Sequence, residues 1–180
     1  LTHGLSGSGK SYWSEQLVRE LGCIRIRSDL LRKSTAGLAT TASSESALAS
    51  GIYRRSSSAN VYREMANLAI QLAQEGERVV IDAASLFQEQ RSLILEKLHD
   101  ANIRLAIVSF TASKETLLAR INQRRTSGGD PSEADESVLQ WQLEHQEPIN
   151  DREIPVAEFN TERDSILSLK KLVSDLWGSA

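Results

Sequence analysis

Gly4-Leu5-Ser6-Gly7-Ser8-Gly9-Lys10-Ser11 constrains this chain more than any other stretch. It fits G-x-x-x-x-G-K-[ST], the pattern of a phosphate-cradling loop between a strand and a helix. Gly4, Gly7 and Gly9 let the backbone curl until successive N–H groups point inward at phosphate oxygens. Lys10 then reaches the β- and γ-phosphates as a point charge. The Ser11 hydroxyl is placed to ligate Mg²⁺. The helix starting near Lys10 adds the positive end of its dipole. Leu5, Ser6 and Ser8 fill the loop and Tyr12 follows it, so the whole run is expected to contact a nucleotide.

The flanks agree with that motif. Ser14, Leu17, Val18 and Leu21 recur at helical spacing over residues 11–21, and Gly22 follows as a stop. On the strand side only Leu1-Thr2-His3 precede Gly4, against about five residues for an ordinary strand. With no initiator Met, the chain reads as a fragment of a longer protein. His3 is expected to pack at the strand end beneath the loop.

The 180 residues suit one domain with its own core. No apolar run reaches membrane-spanning length and no signal-peptide pattern is visible. The net charge of −3 argues against broad binding to duplex nucleic acid, which needs a basic face. Cys23 is the single cysteine, so no internal disulfide or cysteine-based metal cluster can form. It is expected to be a buried small hydrophobe in a reducing, cytoplasmic setting.

Strands are predicted at residues 23–27, 78–82, 103–110 and 155–159. Helices are predicted at residues 30–33, 60–74, 88–100, 113–125 and 164–177. A further helix is predicted from Asp130 to about Gln146, with Asp130 as cap, Pro131 at the first position and Glu133 closing a capping box. Residues 34–58 are rich in Ser, Thr, Ala and Gly. They read as a linker or, preferably, as a mobile segment over a substrate site, because a helix resumes directly afterwards. The alternation of strands and helices implies an α/β fold, with a parallel sheet of about five strands and helices on both faces. Ligands of such sheets bind beyond the carboxyl ends of the strands.

Several side chains outside the loop could do chemistry there. Asp82 ends an apolar strand and could orient a water on Mg²⁺; a helix-capping aspartate is the competing reading. Asp29 and Arg32 form D-x-x-R after the second strand. The carboxylate could take the proton of an acceptor hydroxyl, and Arg32 could hold the acceptor. A plain N-cap with a solvated Arg is the alternative. Arg120 and Arg124 share a helix face, followed by Arg125 and a Gly-containing break, so residues 120–131 suggest a lid whose arginines meet transition-state charge. A solvated charged face is the competing reading. Tyr53 and Arg54 are weaker substrate-binding candidates, and Arg91 is undecided. Trp13, Trp141 and Trp177 are expected to be packing residues. The adenine pocket is expected near residues 160–163.

Beyond the loop, the chain resembles a known family in Ile26-Arg27-Ser28-Asp29-Leu30-Leu31-Arg32-Lys33, Ala36-Gly37-Leu38, Val80-Ile81-Asp82-Ala83, the stretch from Arg120 to Arg124, and Asp130-Pro131-Ser132-Glu133-Ala134-Asp135. It is similar to the phosphate-loop kinase-like ATP-binding domain in the C-terminal half of bifunctional aminoglycoside-phosphotransferase-like/ATP-binding proteins. More distantly it resembles polynucleotide 5′-kinases and zeta toxins. The resemblance implies a three-layer αβα P-loop NTPase fold of adenylate-kinase type, ATP with Mg²⁺, and phosphoryl transfer to a hydroxyl. It implies Lys10 and Ser11 at phosphate and metal, Asp29 as base, Arg32 as acceptor anchor, and Arg120 and Arg124 in the lid. It also implies a fused N-terminal phosphotransferase-like domain. Ala83-Ala84-Ser85 departs from the Asp-Thr-Asn turn of related kinases.

The expected activity is therefore ATP-dependent phosphorylation of a small molecule or a nucleic-acid 5′-hydroxyl by a monomer. The rival is an ATP-binding and hydrolysing module that regulates a partner. Such a switch needs no acceptor base. A ring-forming mechanical ATPase would need a further helical domain, for which the chain has no room.

Overall fold

The computed structural model describes residues 1–35, 55–127, 134–150 and 154–178. Strand β1 (Thr2–His3) runs through the glycine loop into α1 (Lys10–Leu21). Gly22 ends α1 in the left-handed region at φ 65°, its N–H donating to Val18 O, the glycine-stopped terminus predicted for it. Then follow β2 (Ile24–Arg27), α2 (Ser28–Thr35), α3 (Arg55–Gln74), β3 (Val79–Asp82), α4 (Gln88–Asp100) and β4 (Ile107–Thr111). The chain closes with α5 (Lys114–Ser127), α6 (Glu136–His145), β5 (Val156–Asn160) and α7 (Ile166–Gly178).

All strand pairings are parallel, β2 with β3, and β1 with β4, which pairs with β5. The two ladders meet where β1 passes the end of β3. Thr2 Oγ1 donates to Ala83 O at 2.7 Å and accepts from Ala83 N–H at 3.0 Å, and Gly4 N–H donates to Ala84 O at 3.0 Å. The strands therefore lie in the order β2-β3-β1-β4-β5, with β1 central. The glycine loop leaves the middle of the sheet at its carboxyl edge.

Alternate strand residues face opposite layers. Ile81 and Ile107 pack with Val61, Met65, Ile94 and Leu98 of α3 and α4. Val80, Val108 and Phe110 pack with Trp13 and Leu17 of α1 and Leu169 of α7. This is the three-layer α/β arrangement expected. A third apolar group joins Leu117 and Ile121 of α5 to Leu139 and Leu143 of α6, with Leu5 of the loop packed on it.

Some boundaries differ from expectation. Strand β4 begins at Ile107, four residues late; Ile103 and Leu105 still pack against the α3–α4 side, but as irregular chain. The cap of α6 is Asp135, whose side chain accepts Val138 N–H at 3.0 Å. The predicted cap at Asp130 lies outside the described residues, as do residues 36–54 with Tyr53 and Arg54. Cys23 is only half-buried, although that burial still pushes its thiol pKa up. Trp13 packs edge-on against Phe159, as expected, but Trp141 is 40 % exposed and stacks on His145. No helix among the described residues is long and apolar enough to cross a membrane.

Candidate functional site

The glycine loop is shaped by contacts that leave no room for side chains. A Cβ on Gly4 would lie 2.6 Å from Phe110 O, and one on Gly7 would lie 2.6 Å from Leu117 O. Gly7 and Gly9 also hold φ of 80° and 86°, a conformation that L side chains rarely adopt. The turn closes with Ser8 N–H on Leu5 O at 3.1 Å. Lys10 curls back so that Nζ donates to the same carbonyl at 3.2 Å. Among the described residues no protein acceptor meets the N–H of Gly7, Gly9 or Ser11. Donors left uncommitted at a helix start are what an anion needs. Tyr12 points outward, 61 % exposed, with its ring edge-on to Trp13.

Asp82 sits beneath the start of α1 and is 4 % exposed. Ser11 Oγ donates to its Oδ1 at 3.4 Å, Ser14 Oγ to its Oδ2 at 3.1 Å, and Arg25 Nε lies 3.8 Å from Oδ2. The structure thus brings together the hydroxyl and carboxylate that the sequence assigned to one cation. Both are hard oxygen donors, the set Mg²⁺ takes. No cluster of three or more His, Cys, Asp or Glu exists among the described residues. A cation here would need phosphate oxygens and water to complete its shell.

Asp29 lies in the first turn of α2, just past the end of the neighbouring strand β2. The β2–β3 register sets Arg27 opposite Asp82, so the turn carrying Asp29 emerges beside it. Asp29 is gripped locally. Arg27 Nε donates to Oδ1 at 3.1 Å, Arg27 Nη2 to Oδ2 at 2.6 Å, and Leu30 N–H to Oδ1 at 2.9 Å. Burial would raise this carboxyl's pKa, but the Arg27 fork outweighs it, with help from Leu30 N–H and the nearby Arg32, and the net direction is down. Arg32 follows one turn later on α2.

Arg120 bridges three parts of the chain. Its Nη1 donates to Thr161 Oγ1 at 2.8 Å and Gly7 O at 3.3 Å, and Nη2 to Thr161 O at 3.3 Å. The expected lid arginine and the expected adenine-side segment therefore meet at the phosphate loop. Glu162, next along, accepts the Thr116 hydroxyl and the N–H and hydroxyl of Ser113 at the start of α5. These bonds hold its carboxyl down to about 2. Arg124 instead donates to Ala134 O at 2.9 Å, tying α5 to the approach of α6. The side chain of Arg125 and residues 128–131 of the expected lid lie outside the described residues.

Other residues of the site had no sequence signal. Ser14 and Arg25 hold Asp82, and Arg27 holds Asp29. Gln142 Oε1 of α6 accepts Ser6 N–H at 2.8 Å. Arg91, undecided from sequence, is fully buried. It braces the turn after β3, with Nη1 on Ser85 O at 3.0 Å and Nη2 on Pro148 O at 2.8 Å. Tyr62 OH takes Ser85 N–H from the other side at 3.1 Å. His3 lies under the loop, its Nδ1 2.9 Å from Ser109 Oγ. Burial, then the charges of Arg91 and Lys10, lower its pKa to about 4.

This architecture is shared with solved structures at low identity. Mycobacterium tuberculosis APS kinase CysC, solved in complex with AMPPNP and APS, is 24% identical, with 99% of this chain and 95% of that chain covered and a TM-score of 0.65. A gluconokinase from Sinorhizobium meliloti 1021 is 22% identical over 98% of this chain and 92% of that chain, with a TM-score of 0.60. Chaetomium thermophilum Kti12, in complex with ADP-AlF3, is 15% identical over 99% of this chain and 96% of that chain, with a TM-score of 0.71. No curated protein sequence matches the chain. Residues 1–149 match the family model described as AAA domain. With the glycine loop, the parallel sheet and these neighbours, the chain belongs to that family and has a P-loop kinase-like fold.

Proposed function

We propose that the chain is an ATP-dependent phosphotransferase that moves the γ-phosphoryl group to a hydroxyl. One observation carries this reading. The β2–β3 register sets the Asp29 turn beside Asp82, which is itself bonded to Ser11 of the phosphate loop. Neighbouring strand ends at the carboxyl edge of the sheet thus carry the residues that this reading assigns to phosphate, cation and acceptor proton, which supports it.

In this reading residues 4–12 hold the nucleotide. Lys10 exchanges Leu5 O for β- and γ-phosphate oxygens. Ser11 and Asp82 would hold Mg²⁺, which would supply charge neutralisation across the phosphates. Asp29 accepts the acceptor's proton and Arg32 holds the acceptor. Arg120 remains near the loop and, with Arg124, stabilises charge on the transferred group. A carboxylate offers about four acceptor sites. Three N–H donors meet Asp29 among the described residues, two of them on Oδ1, so Oδ2 has room for one hydroxyl. Lowered basicity suits a loose transition state, in which the hydroxyl keeps its proton until late.

The acceptor is a small molecule or a nucleic-acid 5′ end, with Tyr53 and Arg54 as further contacts. On the motif resemblance, the chain is a single kinase-like unit, cytoplasmic and monomeric, joined to an N-terminal phosphotransferase-like domain. The regulatory reading has one observation in its favour. Arg27 already satisfies Asp29 in a fork, as a purely structural ion pair would. The test is a screen of hydroxyl compounds with γ-labelled ATP. Label on an organic acceptor supports the kinase, while release of inorganic phosphate alone with every compound supports the switch.

A further inference from the structure

Asp82 presents its two carboxylate oxygens to different neighbours. Oδ1 faces the Ser11 hydroxyl at 3.4 Å. Oδ2 accepts Ser14 Oγ at 3.1 Å and has Arg25 Nε 3.8 Å away. That last distance is too long for a hydrogen bond, so Arg25 holds Oδ2 by charge. Ser14 and Asp82 are buried, and the Arg25 side chain is only 14 % exposed. A charge contact this far from solvent is weakly screened.

Arg25 also reaches the other half of the pair. Its Nη1 donates to Ser11 O at 2.9 Å, and the same backbone oxygen takes Ser14 Oγ at 3.0 Å. One guanidinium thus touches both residues named for the cation, Ser11 through its carbonyl and Asp82 through Oδ2. The strands explain how it gets there. Arg25 pairs with Val80, and Val80 packs toward α1. Paired residues of parallel strands share a face, so Arg25 runs beneath the first turns of α1 toward Ser11. Its other ionic neighbour among the described residues, Glu15, is half-exposed and stands 4.0 Å away.

We propose that Arg25 is a positioning residue of the cation site, holding Asp82 so that only Oδ1 is offered and thereby favouring Mg²⁺ over Ca²⁺. The inference rests on the nucleotide- and cation-binding reading above and needs no knowledge of the acceptor. Mg²⁺ demands near-ideal octahedral geometry and keeps several waters, which suits one fixed oxygen. Ca²⁺ takes more ligands in looser arrangements, including both oxygens of one carboxylate. With Arg25 in place, a cation bridging both oxygens of Asp82 would be repelled by the guanidinium beside Oδ2.

The test titrates Mg²⁺ and Ca²⁺ separately into the 180-residue chain held in excess over ADP, with calorimetry as the readout. Removing a positive charge strengthens both divalent cations alike, so that effect cancels in the ratio of the two affinities. Loss of orientation does not cancel. Arg25→Leu should shift the ratio toward Ca²⁺ by about tenfold, the low end of what partners of metal ligands contribute. Arg25→Lys keeps the charge but puts one nitrogen in place of two separated ones. It should shift the ratio the same way by a smaller factor, and it serves should the Leu variant fail to fold. An unchanged ratio, whether both affinities stay or move together, would mean that Arg25 only pairs a buried carboxylate. That result, or a shift toward Mg²⁺, overturns the proposal. A wild-type chain that binds ADP but neither cation would remove Ser11 and Asp82 as a cation pair. One that binds no ADP would remove the phosphate-loop reading itself, and in both cases this proposal falls with it.

Discussion

Arg27 holds both carboxylate oxygens of Asp29 in a fork, Nε 3.1 Å from Oδ1 and Nη2 2.6 Å from Oδ2. Bidentate charge-assisted pairs fix orientation as well as charge. Replacing Arg27 with Leu should therefore raise the Asp29 carboxyl toward its ordinary range and free its rotamer. Carbon-13 NMR of the labelled carboxyl would show an upward pKa shift. An unchanged titration would mean that other groups hold Asp29 down.

Lys10→Ala should weaken Mg-ATP binding by about 100-fold or more, since the Lys10 ammonium is the loop's own side-chain cation. The melting temperature should fall by no more than a few degrees, because the ammonium is partly exposed and bonds a carbonyl of its own loop. Calorimetry and thermal melting together check this. Unchanged affinity in a folded variant would refute the site.

Gly7→Ala joins a positive φ to a Cβ placed 2.6 Å from Leu117 O. The atom it meets is backbone and cannot swing aside, so the loop or α5 must move. The expected cost is at least about 2 kcal/mol of stability, with loss of nucleotide binding. Denaturant unfolding with and without Mg-ATP would measure it. Wild-type behaviour in both would show that the loop is looser than its contacts require.

His3 titrates near 4 in the fold against 6.5 when unfolded. Between those values the unfolded chain binds the extra proton, so stability is complete above about pH 6.5 and falls as the pH drops toward 4. The loss should be on the order of 3 kcal/mol. His3→Asn should flatten that part of the profile in urea unfolding. An equally steep profile in the variant would assign the loss to other groups.

Much of this was legible in the sequence because it is local. The loop spacing, the stop at Gly22, and the acid ending an apolar strand all lie within one turn or strand. The cap of α6 was misplaced because Asp130 and Asp135 both precede helix-forming residues. What decides is the packing of Leu139 and Leu143 on Leu5 and Leu117. Gln142 and Tyr62 gave no signal, since their partners are backbone N–H groups far along the chain, and the role of Arg91 stayed undecided because it bonds only backbone carbonyls. Such pairings follow from topology, and composition and periodicity carry no trace of them. Arg27 was missed for a different reason. It sits two residues from Asp29, but strand alternation gives no warning that an arginine will turn back on the following carboxylate.

The most direct measurement is transfer of label from γ-labelled ATP to hydroxyl compounds, run on wild type, Asp29→Asn and Asp82→Asn with matched melting behaviour. The account predicts labelled acceptor with wild type, and a loss of about 10²–10⁴-fold with Asp29→Asn while Mg-ATP affinity and basal hydrolysis persist. Asp82→Asn should lower both transfer and hydrolysis. Wild-type transfer by Asp29→Asn, or phosphate release that no hydroxyl compound diverts, would contradict the kinase.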